Sequence, residues 1–247
     1  MKTTMKKRKI FRNIILTMMV LIMLGVAGML IWTSNTYEPT AEVLDLIKEG
    51  DYFIDGDFYV FQPKEESKGK GIVIYPGALV EPLSYGYIAN ELSKEGYLVA
   101  IPEVNLNLSI TENSKAEEFI SKNKEIKEWY VCGHSMGGVS AAYYAEDNQD
   151  IVDGVIFLGS YPSKGTDLSD NDQRVISIYG ERDGLTSLED IEESKANLPK
   201  DAVFIEIPGG NHAQFGLYGE QKGDNTAEIS PREQQDKIIE SILEFIN

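Results

Sequence analysis

From residue 71 onward, short apolar runs alternate with amphipathic segments, and this alternation restricts the fold more than any other feature of the sequence. The runs predicted as strands are 71–76, 97–101, 128–132, 155–158, 175–179 and 203–207. The segments predicted as helices are 81–95, 111–122, 136–145, 188–197 and 233–246. Continuous apolar runs are typical of strands buried on both faces, and regular alternation predicts crossover connections. We therefore expect an α/β fold with a mostly parallel sheet and helices on both faces.

The segment before residue 71 predicts an opening hairpin and a connector. Strands are expected over 52–54 and 58–62, because the turn signal Asp55-Gly56-Asp57 separates them. Residues 37–50 predict a polar connector with room for a short helix. The length from 51 to 247 suits one domain with a substantial core.

The first 36 residues predict a membrane segment rather than part of the fold. A run of 19 residues from Ile14 to Trp32 contains no charge, and as a helix it spans roughly 28 Å, close to the thickness of a hydrocarbon core. Six basic residues and no acid precede or flank it within 1–36. The positive-inside rule then predicts a cytoplasmic basic stub, a transmembrane signal anchor and an extracytoplasmic body at the cell membrane. The alternative is a signal peptide cleaved near Gly25-Val26-Ala27, which would release a secreted protein.

Net charge and cysteine content limit which partners and which covalent cross-links the chain can have. The rest of the chain has 17 basic against 40 acidic residues, which disfavours nucleic acid as a partner. The acidity is equally compatible with simple solvation of the surface. A single cysteine, Cys132, excludes an intrachain disulfide, and its place inside a predicted strand favours a buried core role.

The sequence Gly133-His134-Ser135-Met136-Gly137-Gly138 lies between a predicted strand and a predicted helix. In a GxSxG turn the serine occupies a sharp, strained position, and the small residues on either side prevent collisions of the backbone. This context predicts that Ser135 is a nucleophile. The alternative is a glycine-rich turn that has no catalytic role.

A serine hydroxyl needs a base, and the chain has two histidines. His134 is adjacent to Ser135 and is expected to shape the turn or pack. His212 follows the strand 203–207 and is the predicted base. Asp183, after the strand 175–179, is the predicted carboxylate partner of His212, with Glu181 as its rival.

The remaining site predictions concern the oxyanion hole and the acyl pocket. The backbone N–H groups of Met136 and Ala78 are the predicted oxyanion donors, with Ala78 preferred over Leu79. Leu79 and Leu106 are the predicted substrate contacts. The connection 159–174 is too short for a sizeable cap domain, so we expect a shallow, open site. No cluster with metal-ligand spacing is evident in the sequence, and no metal or cofactor is expected.

From about residue 71 to the C-terminus the chain resembles small, capless α/β-hydrolases of the dienelactone-hydrolase-like kind. The resemblance is carried by the residues 75–78, the elbow 133–138 and the segment 209–216 around His212. The order Ser135, Asp183, His212 is also that of the α/β-hydrolase triad. The resemblance implies the α/β-hydrolase fold and ester-type hydrolysis. It departs from dienelactone hydrolases proper in having Ser135 where they have a cysteine nucleophile.

These observations predict a serine hydrolase that cleaves small-molecule carboxylic esters or thioesters through an acyl-enzyme intermediate. Two alternatives stay open. An acyltransferase of the cell envelope would form the same acyl-enzyme, and a membrane-tethered binding module would retain the fold without the chemistry.

Overall fold

The computed structural model describes residues 2–247, with side chains from Lys9 onward, as two compact units that meet in sequence between Thr36 and Tyr37. The first unit consists mainly of helix α1 (Lys2–Thr33). Its portion Lys9–Thr33 is long and apolar enough to cross a membrane, and a signal sequence would have the same length and composition. The predicted apolar helix is therefore present.

The second unit is built on one eight-stranded sheet. Its strands are β1 (Phe53–Asp55), β2 (Phe58–Phe61), β3 (Lys70–Tyr75), β4 (Leu98–Pro102), β5 (Glu128–His134), β6 (Gly154–Leu158), β7 (Arg174–Gly180) and β8 (Val203–Ile207). They are ordered β1-β2-β4-β3-β5-β6-β7-β8. The hairpin β1–β2 and the pair β2–β4 are antiparallel, and all other pairs are parallel. The predicted hairpin and mostly parallel sheet are confirmed.

The helices of this unit lie at the predicted places but are shorter than expected in three cases, one of which is the predicted helix 188–197, whose last three residues form a 3₁₀ turn, Lys195–Asn197. They are α2 (Ala41–Leu46), α3 (Gly86–Lys94), α4 (Lys115–Ile120), α5 (Met136–Asp147), α6 (Leu188–Ser194) and α7 (Pro231–Ile246). The predicted helix 81–95 is a 3₁₀ turn, Pro82–Tyr85, followed by α3. The predicted helix 111–122 is reduced to α4, because Thr111 ends a separate 3₁₀ turn and its hydroxyl donates to the Leu108 carbonyl.

Alternate side chains of the central strands enter two cores, one on each face of the sheet. Ile72 and Ile74 of β3 pack in one core with α3 and α7, whereas Val73 and Tyr75 pack in the other with α5. Cys132 is fully buried in the first core, and burial raises the pKa of its thiol. Its predicted core role is confirmed.

The predicted connector 37–50 packs against the body. Tyr37 forms a parallel bridge with Val80, and Val43 of α2 is fully buried, with Ile47 next to it in the same core. The Thr40 hydroxyl accepts from the Val43 N–H and caps α2. The compact body therefore begins at Tyr37.

Candidate active site

Ser135 lies at the sharp turn between β5 and α5. Its backbone has φ 52° and ψ −122°, a region that costs a non-glycine residue on the order of 1–3 kcal/mol. The turn is held by close backbone approaches, since a Cβ on Gly133 would lie 2.2 Å from the Gly137 backbone and a Cβ on Gly137 would lie 2.2 Å from the Tyr75 carbonyl. The small residues of the motif are therefore required by packing, and the turn presents the Ser135 side chain at the carboxyl end of β5.

Asp183 and His212 form a buried pair at the ends of β7 and β8. His212 Nδ1 lies 2.8 Å from Asp183 Oδ2, and both side chains are almost wholly excluded from solvent. The other oxygen, Asp183 Oδ1, accepts from the backbone N–H groups of Leu185 and Thr186 at 2.8 and 2.7 Å. These bonds fix the direction of the carboxylate toward the ring.

Glu181, the rival carboxylate in the sequence, is exposed and performs a different task. Its Oε2 accepts from the N–H of Gly209 at 2.9 Å, at the turn that precedes His212. The carboxylate on the histidine ring is thus that of Asp183, two residues further along the chain.

The second ring nitrogen of His212 is buried and has no hydrogen-bond partner among the described residues. The His212 ring centroid lies 4.6 Å from that of His134, which immediately precedes Ser135. The His212 ring thereby lies beside the residue that precedes Ser135, and in the described part of the chain no hydrogen bond joins Ser135 to Nε2. In free hydrolases the serine–histidine contact is often long and shortens when substrate binds.

His134 packs beneath the site instead of entering it. Its side chain is fully buried, and its Nδ1 lies 2.8 Å from the Tyr85 hydroxyl, which also accepts from the N–H of Gly77 at 2.9 Å. Burial, with a smaller contribution from His212, lowers the pKa of His134 well below its usual value. His134 is therefore a neutral packing residue that joins the nucleophile turn to the loop after β3.

The loop after β3 holds the predicted oxyanion donor. The Leu79 N–H donates to the Asn107 carbonyl at 2.7 Å, and the Gly77 N–H is bonded to Tyr85. Among the described residues, the N–H groups of Ala78 and Met136 form no hydrogen bond. Of the three consecutive amides in this loop, that of Ala78 is the one without a partner in the described part of the chain.

The two predicted substrate contacts differ in exposure. Leu79 is 8% exposed with φ 60°, and Leu106 is 38% exposed with φ 58°. The bond from Leu79 N–H to the Asn107 carbonyl brings their loops together. Leu106 presents its side chain to solvent, whereas Leu79 is mostly covered.

Ser135 does not line any of the following three cavities. Cavities of about 260 and 220 Å³ border the segment that follows His212 and share Asn211 and Gln214. A cavity of about 340 Å³ lies between α3 and α7, lined in part by Tyr87 and Leu243. Within the described residues no group of three or more His, Cys, Asp or Glu side chains could hold a metal ion.

Sequence reasoning missed Asp224, which lies in the loop between His212 and α7. Its carboxylate accepts from the N–H groups of Gly184 and Ala213 at 2.9 and 2.8 Å, residues adjacent to Asp183 and His212 respectively. No motif surrounds Asp224, and its proximity to the pair arises because the loop folds back onto the strand ends. The sequence carried no local signal for it.

Several solved structures have the same fold. MGS-MChE2, an alpha/beta hydrolase enzyme from a lagoon-sediment metagenome, is 21% identical with a TM-score of 0.59, over 78% of this chain and 98% of its own. Est1E from Butyrivibrio proteoclasticus is 15% identical with a TM-score of 0.55, over 79% and 97%. Esterase 2 of Thermogutta terrifontis is 12% identical with a TM-score of 0.57, over 76% and 88%.

Identities this low establish the likeness of fold alone. No curated protein matches the chain. A family model described as alpha/beta hydrolase family matches residues 71–236, which is more than half of the sequence and includes Ser135, Asp183 and His212. With that match and an eight-stranded sheet carrying the nucleophile turn at the end of β5, the chain belongs to the alpha/beta hydrolase family.

Proposed function

We propose that this protein is a serine hydrolase that cleaves carboxylic ester or thioester bonds, with Ser135, Asp183 and His212 as its triad. The observation that carries the proposal is the buried Asp183–His212 pair, with 2.8 Å between Nδ1 and Oδ2, whose ring lies 4.6 Å from that of His134, the residue before Ser135. A base oriented by a carboxylate, next to a serine in a strained turn, is the arrangement that activates a hydroxyl.

The proposed reaction has two acyl-transfer steps. Ser135 Oγ attacks the ester carbonyl while His212 Nε2 takes its proton, and the same nitrogen then protonates the leaving alcohol. Water repeats the sequence on the acyl-enzyme and regenerates Ser135. Asp183 stays ionised and stabilises the imidazolium formed in each step.

The N–H groups of Ala78 and Met136 are the proposed oxyanion donors. Each such donor typically contributes about 2.7–4 kcal/mol to stabilisation of the transition state. Their lack of partners in the described part of the chain supports this role, as does the bonding of the neighbouring Gly77 and Leu79 amides elsewhere.

Ester substrates are favoured by the name of one structural relative, esterase 2 of Thermogutta terrifontis. The exposed side chain of Leu106 is the proposed contact for the acyl or alcohol group of a small-molecule ester. Leu79, whose side chain is mostly buried, is the second proposed contact. The proposed position of the body is extracytoplasmic, with α1 as its membrane anchor, because the six basic residues of the segment 1–36 all precede its apolar run.

The proposal is tested by steady-state hydrolysis of p-nitrophenyl esters of graded chain length. We expect turnover by the native protein, and loss of about 10³-fold or more in kcat for both Ser135→Ala and His212→Ala. Product release that accelerates when an alcohol or amine is added would favour the acyltransferase instead. A folded native protein without turnover on any ester would contradict the proposal.

A further inference from the structure

The Asp224 carboxylate accepts hydrogen bonds from four backbone N–H groups. Its Oδ1 accepts from Gly184 N–H at 2.9 Å, from Asn225 N–H at 2.8 Å and from His212 N–H at 3.3 Å. Its Oδ2 accepts from Ala213 N–H at 2.8 Å. Two stretches of chain remote from Asp224 in sequence, in addition to its own neighbour Asn225, therefore converge on one half-buried side chain.

Asp224 joins the segment that contains Asp183 to the segment that contains His212. Gly184 directly follows Asp183, and the loop containing His212 contributes two donors of its own. The approach is close, because a Cβ on Gly184 would lie 2.7 Å from the Asn225 nitrogen. The side-chain amide of Asn211 donates to the Asn225 carbonyl at 2.8 Å and ties the same segments together.

A carboxylate suits this position for a chemical reason. It has two acceptor oxygens and, when ionised, no donor, so both oxygens can face N–H groups at once. An asparagine would direct its NH₂ group at one of these sets of N–H groups and leave that set unsatisfied. The loops would then separate or shift.

We infer that Asp224 is a positioning residue that sets the location of His212 relative to Asp183 and Ser135. This inference rests on the proposed triad. A displacement of about 1 Å in a reacting group can lower the rate about 100-fold. Asp224 is therefore inferred to act on the rate through His212.

The test compares Asp224→Asn with Glu228→Gln, a matched control in the same loop. Glu228 forms an exposed ion pair with Arg182 at 2.7 Å. We expect Asp224→Asn to lower kcat for a p-nitrophenyl ester about 10- to 100-fold with KM unchanged. We expect Glu228→Gln to leave both constants at native values.

A double-mutant cycle separates positioning from a general structural defect. If Asp224 acts through His212, Asp224→Asn has no further effect on the residual activity of His212→Ala. Additive losses would overturn the inference. Should Asp224→Asn fail to fold, Asp224→Glu keeps the acceptors but misplaces them by one methylene, and the same cycle applies to it.

A second readout does not depend on activity. In proton NMR, we expect the downfield Nδ1–H resonance of His212 to be absent in Asp183→Asn, shifted or broadened in Asp224→Asn, and unchanged in Glu228→Gln. An unchanged resonance in Asp224→Asn would overturn the inference. A native protein without esterase activity that still has these spectral changes would contradict the proposed function and leave the positioning role intact.

Discussion

Asp183 and Glu181 are both acidic residues at the end of β7, and their hydrogen bonds separate their roles. The Asp183 carboxylate faces His212 and two backbone N–H groups, whereas Glu181 bonds the Gly209 N–H at the protein surface. In a buried pair the carboxylate fixes the tautomer of the imidazole, so its charge and geometry both affect the rate.

Asp183→Asn is expected to lower kcat about 10⁴-fold, because the ring then loses the acceptor that fixes its tautomer. Glu181→Gln is the matched control and should lower kcat less than about tenfold, since Glu181 acts on the turn at Gly209. Ester kinetics on both purified variants, with circular dichroism as a check on folding, provide the comparison. A larger loss for Glu181→Gln would reverse the assignment.

The buried His134 leads to a prediction about protein stability rather than about the reaction rate. Burial lowers the pKa of His134 in the folded protein well below its usual value. Below about pH 6.5 the unfolded chain therefore binds a proton that the folded protein does not, and stability is lost as the pH falls. Relative to His134→Gln, the native free energy of unfolding should decrease by up to about 1.4 kcal/mol per pH unit below pH 6.5. Urea denaturation of both proteins at pH 7, 6 and 5 measures this decrease. A free energy of unfolding that changes with pH equally in the two proteins would refute the prediction.

Residue types and chain order were enough to predict Ser135, Asp183 and His212 as a triad, but not the groups that support them. Asp224 is 12 residues from His212 and 40 residues from Gly184 in sequence, so no local pattern records its bonds. The Tyr85 hydroxyl, which links His134 to Gly77, is similarly remote in sequence from the nucleophile turn. Such contacts depend on tertiary folding of loops.

At the scale of elements, the turn between β5 and α5 depends on backbone packing. A Cβ on Gly137 would lie 2.2 and 2.5 Å from the carbonyl oxygens of Tyr75 and Pro76. Backbone atoms at the end of a central strand cannot withdraw as the tip of a flexible side chain can. The turn therefore has no room for even one methyl group.

Gly137→Ala is expected to destabilise the protein by about 3 kcal/mol or more, because the added methyl overpacks the turn. Gly165→Ala is the control, since its Cβ would meet no atom closer than 3.8 Å, and it should change stability by less than about 0.5 kcal/mol. Urea-induced unfolding of the two variants measures both effects. Equal stability of Gly137→Ala and the native protein would mean that the turn differs from this description.

The elements themselves were predictable where burial on both faces gave a continuous apolar run, as in β3 and β6. Helices were less predictable where local bonds compete with the helix. Pro82 begins a 3₁₀ turn instead of extending α3, and the Thr111 hydroxyl bonds to the backbone of its own turn ahead of α4. The hydrophobic pattern persists through such turns, so pattern alone overestimates helix length.

At the scale of the whole molecule, the chain combines an apolar N-terminal helix with an acidic body. The overall formal charge is −17, although residues 1–36 carry basic side chains and no acidic ones. A basic, apolar N-terminal segment of this kind is compatible with a membrane anchor and with a signal peptide. The body beginning at Tyr37 is a compact unit with its own cores.

We expect the full-length protein to remain with membranes after an alkaline carbonate wash, because the helix Lys9–Thr33 has the length to span a bilayer. A protein comprising residues 37–247 should be soluble and retain the native kcat on water-soluble esters. Mass spectrometry of the protein isolated from cells determines the N-terminus. Recovery from the medium with a new N-terminus near Ala27 would establish cleavage and contradict the anchor.

The most direct test of the central claim is to identify the residue labelled by a fluorophosphonate probe. The probe forms a covalent bond only with an activated hydroxyl. We predict a single phosphonylated peptide, modified at Ser135, and no labelling of Ser135→Ala or His212→Ala under the same conditions. Labelling at another residue, or labelling that persists in Ser135→Ala, would contradict the account.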